Sequence, residues 1–399
     1  MSNTSRILFL TTRNIVTASG EYRLIKNRSE TLYSKWGVIS DFIALENKEK
    51  EKKEHRTINA GGFIDVRYVN LKSIKDLFSS FNWFSCEAIE CIQNGNYKAV
   101  ILSGSGTVVL AKRIKHLFPE LNVLLDYHGA DEEGFFLAKN GSMGYRIKEI
   151  LLSFSNMITQ KIYSKYLDGC IVVSKSLASY FRNRYRFNKT IYRIPCAFQT
   201  ELVDIDVQTA RRVYGREKYN IENNDILFVY SGGSSPWQCV KESINLFKTI
   251  RSKVKQNCKM IIASYDLDTI AKYTEADPNI ILLNLEPNEV FEMLPAGDFA
   301  FFIREDLLLN NVAYPNKFLE YVASGMRIIS TPFVYDIAEI IEENRIGYLV
   351  KNVGESTDSI VSYIEKVFNE PIDWEIRNNI LKVEGFENTL EPLVRDIIL

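Results

Sequence analysis

The chain has 399 residues, 46% of them apolar and 25% charged, with 49 Lys and Arg set against 50 Asp and Glu. That length exceeds one ordinary α/β core and implies two or three domains, and the composition excludes a disordered or fibrous chain. A formal charge of −1 excludes a global field toward nucleic acid or anionic lipid, so any charged partner is met locally.

Six cysteines (Cys86, Cys91, Cys170, Cys196, Cys239, Cys258) contain no C-x-x-C pair, and three histidines add little metal-binding capacity. They read as buried small hydrophobes in a reducing compartment. Met1 to Arg6 runs into an apolar stretch without a charged leader, and no window reaches about 18 apolar residues, so the expected location is cytoplasmic.

In chain order, the first half offers apolar runs at Ile7 to Leu10, Val38 to Leu45, Val66 to Leu71, Ala99 to Leu102, Val123 to Leu125 and Cys170 to Val173, with helix-length segments between them. Ile191 to Ile194 closes the set. This alternation predicts a doubly wound parallel sheet. Ser19-Gly20-Glu21 follows the loop after the first strand; Gly20 suits a close approach by a ligand's phosphate, and a plain turn explains it equally well. Asn47 to His55 mixes charges of both signs and reads as a solvated loop.

His128 follows Leu124-Leu125-Asp126-Tyr127 at a strand's carboxyl end, where a histidine is either functional or held by a structural hydrogen bond. Asp131, Glu132 and Glu133 beside it suit acceptor positioning or, for the two glutamates preferentially, a helix N-terminus. From Met143 to Leu167 a helix carries Ile147, Ile150, Leu151, Phe154, Ile158 and Ile162 at three- and four-residue spacing, with Arg146, Lys148, Lys161 and Lys165 elsewhere on it. Such a stripe reads first as core, with a membrane-lying face as the alternative. Arg182, Arg184, Arg186, Lys189 and Arg193 alternate with Tyr180, Tyr185 and Tyr192; a solvated face is the ordinary reading, contact with an anionic lipid at a membrane surface the next, and nucleic acid is not expected.

From about Pro195 to Asn224 the pattern lapses into polar sequence, and a second series follows. Its strands are Ile226 to Tyr230, Lys259 to Ala263, Ile280 to Leu283, Phe299 to Ile303, Arg327 to Ser330 and Gly347 to Val350. Residues 1–200 and 225–373 thus read as two Rossmann-like domains facing a cleft, 201–224 as a linker, and 374–399 as a helix packing back toward the N-terminal domain. Gly232 and Gly233 leave the first strand of the second series just before Pro236-Trp237-Gln238, a turn that suits an anion at a helix N-terminus. Arg304 stands past the strand Asp298 to Ile303, and Lys317 and Glu320 share one helix face, types that suit a diphosphate and ribose hydroxyls.

Tyr230 to Gln238, Arg304-Glu305-Asp306, Asn310-Asn311 and Pro315 to Gly325, together with Asp126 to Gly129 and Asp168 to Leu177, resemble the GT-B glycosyltransferases of the family 4 type, which assemble bacterial surface polysaccharides. The resemblance implies a nucleoside diphosphate sugar held mainly by the C-terminal domain, an acceptor on the N-terminal side, transfer with retention, and no metal or other cofactor. It makes His128, Arg304 and Lys317 the catalytic group. Glu320 would grip the ribose, with Gly20, Gly232, Gly233, Trp237, Gln238, Glu305 and Asn311 also on the donor.

Two positions depart from the family pattern: Val312 stands where many members carry Glu, and Gly233 and Gln238 where many carry Arg and Lys. The expected function is a hexosyl or N-acetylhexosaminyl transferase acting on a glycan or lipid-linked acceptor, with peripheral contact to the inner face of the membrane. A nonhydrolysing sugar-nucleotide epimerase and a noncatalytic GT-B-like partner subunit are the rivals.

Overall fold

Strands made of consecutive Ile, Leu, Val and Phe must be covered on both faces, and that is how the two sheets of this protein are built. The computed structural model describes residues 5–12, 20–47, 52–57, 62–69, 74–104, 106–138, 142–197, 203–351 and 357–398. The chain divides into two units, residues 1–200 with 384–399, and residues 201–383.

The first unit runs β1 (Arg6–Thr11), α1 (Gly20–Trp36), β2 (Ile39–Asn47), β3 (Lys52–Thr57), β4 (Phe63–Val69), α2 (Ile74–Asn94), β5 (Tyr97–Ser103), α3 (Leu110–Leu117), β6 (Asn122–Tyr127), α4 (Glu133–Leu137), α5 (Met143–Tyr163), β7 (Gly169–Val172), α6 (Lys175–Tyr185) and β8 (Thr190–Arg193). Its sheet has the order β3-β4-β2-β1-β5-β6-β7-β8, parallel except for β3. The order reverses between β1 and β5, which marks that unit's switch point.

The second unit runs α7 (Ile205–Lys218), β9 (Ile226–Ser231), α8 (Val240–Arg251), β10 (Cys258–Ala263), α9 (Leu267–Thr274), β11 (Ile280–Leu283), α10 (Pro287–Met293), β12 (Phe299–Phe302), α11 (Leu308–Asn311), α12 (Lys317–Ala323), β13 (Arg327–Ser330), α13 (Tyr335–Asn344), β14 (Gly347–Leu349), α14 (Thr357–Val367) and α15 (Trp374–Glu384). Its parallel sheet, β11-β10-β9-β12-β13-β14, reverses between β9 and β12. Phe228 stacks on Phe299 and Phe301 at 5.5 and 5.3 Å in the centre of that core. Both units are the doubly wound α/β arrangement that the alternation predicts.

Several expectations are corrected. Part of the charged Asn47 to His55 run is the antiparallel edge strand β3, held by Tyr68 donating to Glu54 at 3.1 Å and by His55 at 2.5 Å from Asp65. Its charges guard an edge rather than a loop; residues 48–51 lie outside the described residues. Within 201–224, α7 forms and packs on its own unit: Asp204 caps it by accepting from the N–H of Asp206 and Val207, and buried Arg216 donates to Ala296 O and Asp298 Oδ2 at 3.1 and 3.2 Å. A polar sequence hid a helix two of whose arginines, Arg212 and Arg216, are spent inward.

The C-terminal segment divides at residue 384. Trp374 rests against Gly325 in the second unit, whereas α16 (Phe386–Leu393) joins the first, where Lys35 pairs with Glu387 at 2.8 Å and Ser5 Oγ donates to Ile398 O at 3.5 Å. Cys170, Cys239 and Cys258 are buried, but Cys86 is exposed and Cys91 and Cys196 are half-buried. Finally, the apolar stripe of α5 is not core: Ile147, Leu151, Phe154, Ile158 and Ile162 are each about half exposed or more. Among the described residues, no helix is long and apolar enough to cross a membrane.

Candidate functional site

At the switch point of the second unit, β9 and β12 deliver their carboxyl ends side by side, and the charged residues cluster there. Gly232 has φ +131°, and a Cβ on it would lie 2.3 Å from Lys317 Nζ. Only glycine lets that ammonium lie against the turn. Lys317, first residue of α12, donates to Gln238 Oε1 at 2.8 Å and stands 4.9 Å from the centre of the Tyr230 ring.

Arg304, 4% exposed, is two residues beyond β12 and donates to the carbonyls of Gln238 and Ile303 at 3.1 and 2.8 Å, with its guanidinium 4.8 Å from the Phe302 ring centre. Thr331, just past β13, fixes the backbone there: its Oγ1 accepts from Arg304 N–H at 2.9 Å and donates to Arg304 O at 2.8 Å.

Neither cation forms an ion pair with a carboxylate of the described residues. Removal from water pushes the Lys317 ammonium well below the usual lysine range; the Arg304 charge adds to this and Glu320 opposes it. Burial lowers Arg304 as well. Two neighbouring cations, Arg304 buried and Lys317 half-buried, whose side-chain hydrogen bonds go to neutral groups, form a site suited to an anion. Glu320 follows one turn later on the same face of α12. The helix is pinned to β9 by Tyr321, whose hydroxyl accepts from Ser231 N–H at 2.9 Å and lies 3.1 Å from Ser231 Oγ.

The other donor-side expectations fare differently. Trp237 O accepts from Asn310 Nδ2 at 3.4 Å, which ties the glycine turn to α11. Glu305 is exposed, and its backbone carbonyl accepts from Asn310 at 2.9 Å. Asn311 spends its amide hydrogens on Asp306 and Phe333 O, both at 3.0 Å, so only its oxygen remains for a sugar. Val312 is buried at the end of α11. Gly20 opens α1; residues 13–19 before it lie outside the described residues. Sequence patterns miss Tyr265, past the end of β10, which is 77% exposed and sets its hydroxyl 2.9 Å from the position a Gly233 Cβ would take. A single Tyr after a strand carries no motif.

In the first unit, His128 leaves β6 and its Nε2 lies 2.8 Å from Asp126 Oδ2. Asp126, 1% exposed, also accepts from Arg28 Nη1 at 2.9 Å and Ser103 Oγ at 3.3 Å. His128 Nε2 thus sits close to a buried carboxylate whose charge Arg28 balances, but out of line for a hydrogen bond to it. It opens on a cavity of 350 Å³, lined also by Asp131, Glu133, Glu149, Ser153, Asn156 and Gln160.

Asp131 accepts from Tyr127 at 2.9 Å and from Tyr185, and Glu132 accepts from Tyr180 and pairs with Arg184 at 3.4 Å. Burial raises the Asp131 carboxyl to about 6, against the two tyrosine hydrogen bonds. Of the basic run, Lys189 donates to Leu167 O and Arg193 pairs with Glu384, so those two are structural.

The fold is that of solved GT-B glycosyltransferases. Sucrose-phosphate synthase from Thermosynechococcus elongatus aligns with a TM-score of 0.71 at 11% identity over 98% of both chains. The E. coli trehalose-6-phosphate structure bound with UDP-2-fluoro glucose gives 0.65 at 9% identity, over 98% of both chains. WaaG, a glycosyltransferase involved in lipopolysaccharide biosynthesis, gives 0.65 at 12%, over 98% of this chain and 99% of that one. Residues 215–382 match the family model described as glycosyl transferases group 1. The second unit therefore carries a domain of that kind, which supports glycosyl transfer as its chemistry. No curated protein sequence is detectably similar to the chain.

Proposed function

We propose that the protein is a retaining, metal-independent glycosyltransferase that moves a hexosyl or N-acetylhexosaminyl group from a nucleoside diphosphate sugar to a glycan or lipid-linked acceptor. Its place would be bacterial surface polysaccharide synthesis, on the cytoplasmic side and peripheral to the membrane. The observation that carries this reading is the convergence of Arg304 and Lys317, with Glu320 one turn further along α12, at the β9/β12 switch point.

As the bond from the sugar to the diphosphate breaks, charge develops on the departing phosphate, and fixed cations beside it stabilise that change without reorganising. Two side chains supply the positive charge a metal would otherwise bring. Glu320 takes the ribose hydroxyls, Tyr265 offers its exposed ring to the base, and the glycine turn lets the phosphates approach the backbone. His128, beside Asp126 in the first unit, takes part in catalysis.

The test is donor turnover with product analysis on a panel of acceptors. Lys317→Ala and Glu320→Ala should each abolish transfer while leaving the far-ultraviolet circular dichroism unchanged. Full activity in either variant would contradict the assignment.

A further inference from the structure

α5 is built inside out. Glu149, Ser153, Asn156 and Gln160, spaced four, three and four residues apart, line the His128 cavity, and Gln160 is 6% exposed with an amide oxygen that accepts no hydrogen bond among the described residues. The opposite face carries Ile147, Leu151, Phe154, Ile158 and Ile162, 49 to 62% exposed. A helix stabilised by packing normally turns its apolar face inward, so an exposed apolar stripe opposite a polar buried one marks a surface made for another medium.

The surroundings say which medium. At 3.6 residues per turn, Arg146 and Lys148 flank the stripe on opposite sides, and Lys161 borders it further along. All three are exposed, as is Lys165 just beyond the helix. Arg184 of α6, paired with Glu132, reaches over to Met157 Sδ at 3.0 Å beside the stripe. The helix itself has 21 residues, about 31 Å, yet these charges bar it from spanning a bilayer. An apolar ridge bordered by exposed lysine and arginine is complementary to the acyl boundary and phosphates of an anionic lipid surface.

We propose that α5 lies in the plane of an anionic bilayer, its apolar stripe below the headgroups, and that the cavity on its other face takes the sugar of a lipid-anchored acceptor. The second clause rests on the transferase reading; the first stands without it. A lipid-borne sugar has only to rise past one helix, about 10–12 Å across, to reach His128.

The experiment is co-sedimentation of the full chain with vesicles of phosphatidylglycerol and phosphatidylethanolamine, and with phosphatidylcholine alone, at low and raised salt. The wild type should sediment with the anionic vesicles, less with the neutral ones, and less as salt rises. L151S/I158S should lower the partition at least about tenfold, since each side chain buries apolar area only when bound. Because both residues are exposed, its melting temperature should equal the wild type's.

Three results overturn the proposal: wild-type protein that stays in the supernatant with anionic vesicles, an L151S/I158S variant that binds as tightly as wild type, or a dimer by light scattering that the same substitutions dissociate. A nucleotide-induced rise in melting temperature, measured in both proteins, separates this outcome from failure of the donor site, because the stripe and the donor site lie in different units.

Discussion

A lysine ammonium kept beside a guanidinium and away from water gives up its proton below the ordinary lysine range, and a diphosphate restores it. Binding of a nucleoside diphosphate should therefore take up a proton, and affinity should fall as pH rises through the depressed Lys317 pKa. Lys317→Met should flatten that dependence and weaken binding by roughly 10–100-fold, the equivalent of about 1.5–3 kcal/mol for a charge-assisted hydrogen bond. Calorimetry in buffers of different ionisation enthalpy checks both; a pH-independent affinity in the wild type would contradict the argument.

Asp131 gives the reverse case. Its folded pKa of about 6 lies above the ordinary 3.8, so the folded state binds more protons in that window and stability falls as pH rises through it. Asp131→Asn should raise the melting temperature relative to wild type at about pH 8 and lose that advantage near pH 4. An equal difference at both would contradict this. Arg304, Lys317, Glu320 and His128 are legible in the sequence because charged or titratable residues at strand exits stand out locally. Arg28 and Tyr321 are not, since each draws its importance from a partner about 90 or more residues away, Asp126 and Ser231.

At the scale of elements, α12 is a short helix whose placement decides the donor site, and Tyr321 within it and Gly325 just after it help to hold it. Tyr321→Phe removes the acceptor for the buried Ser231 N–H and should cost about 1–3 kcal/mol in denaturant unfolding, with weaker nucleotide binding as α12 shifts. Gly325, at φ +78°, would bring a Cβ within 2.9 Å of the Trp374 ring, so Gly325→Ala should destabilise by strain and contact together. Stability equal to wild type in either variant would show that α12 is held otherwise. Apolar runs predict the six strands of the second unit, because the core strands β9, β10 and β12 are mostly apolar, whereas α7 is hidden by its polar sequence. The period of α5 shows that its apolar residues share a face, but no periodicity says which way a face points; that depends on what packs around it.

For the whole molecule, the chain leaves the first unit at residue 200 and returns to it at 384. Phe386, Leu390, Leu393, Val394 and Ile398 are each at most 1% exposed there, and a fully buried side chain of this kind contributes about 1.5–3 kcal/mol. Ending the chain after Val383 should therefore lower the melting of the first unit while the nucleotide response of the second persists, as two-transition calorimetry would show. Loss of both together would contradict the division.

The central claim is that Arg304, Lys317 and Glu320 form a nucleoside diphosphate site. It is tested most directly by the melting temperature of wild type, Lys317→Ala and Glu320→Ala with and without uridine, guanosine and adenosine diphosphates. At a hundred times its dissociation constant, a ligand bound only to the folded state stabilises by about 2.7 kcal/mol. One of the three should raise the wild-type value and shift both variants by no more than about half as much at the same concentration; a shift of the same size in all three proteins, or in none, would contradict the account.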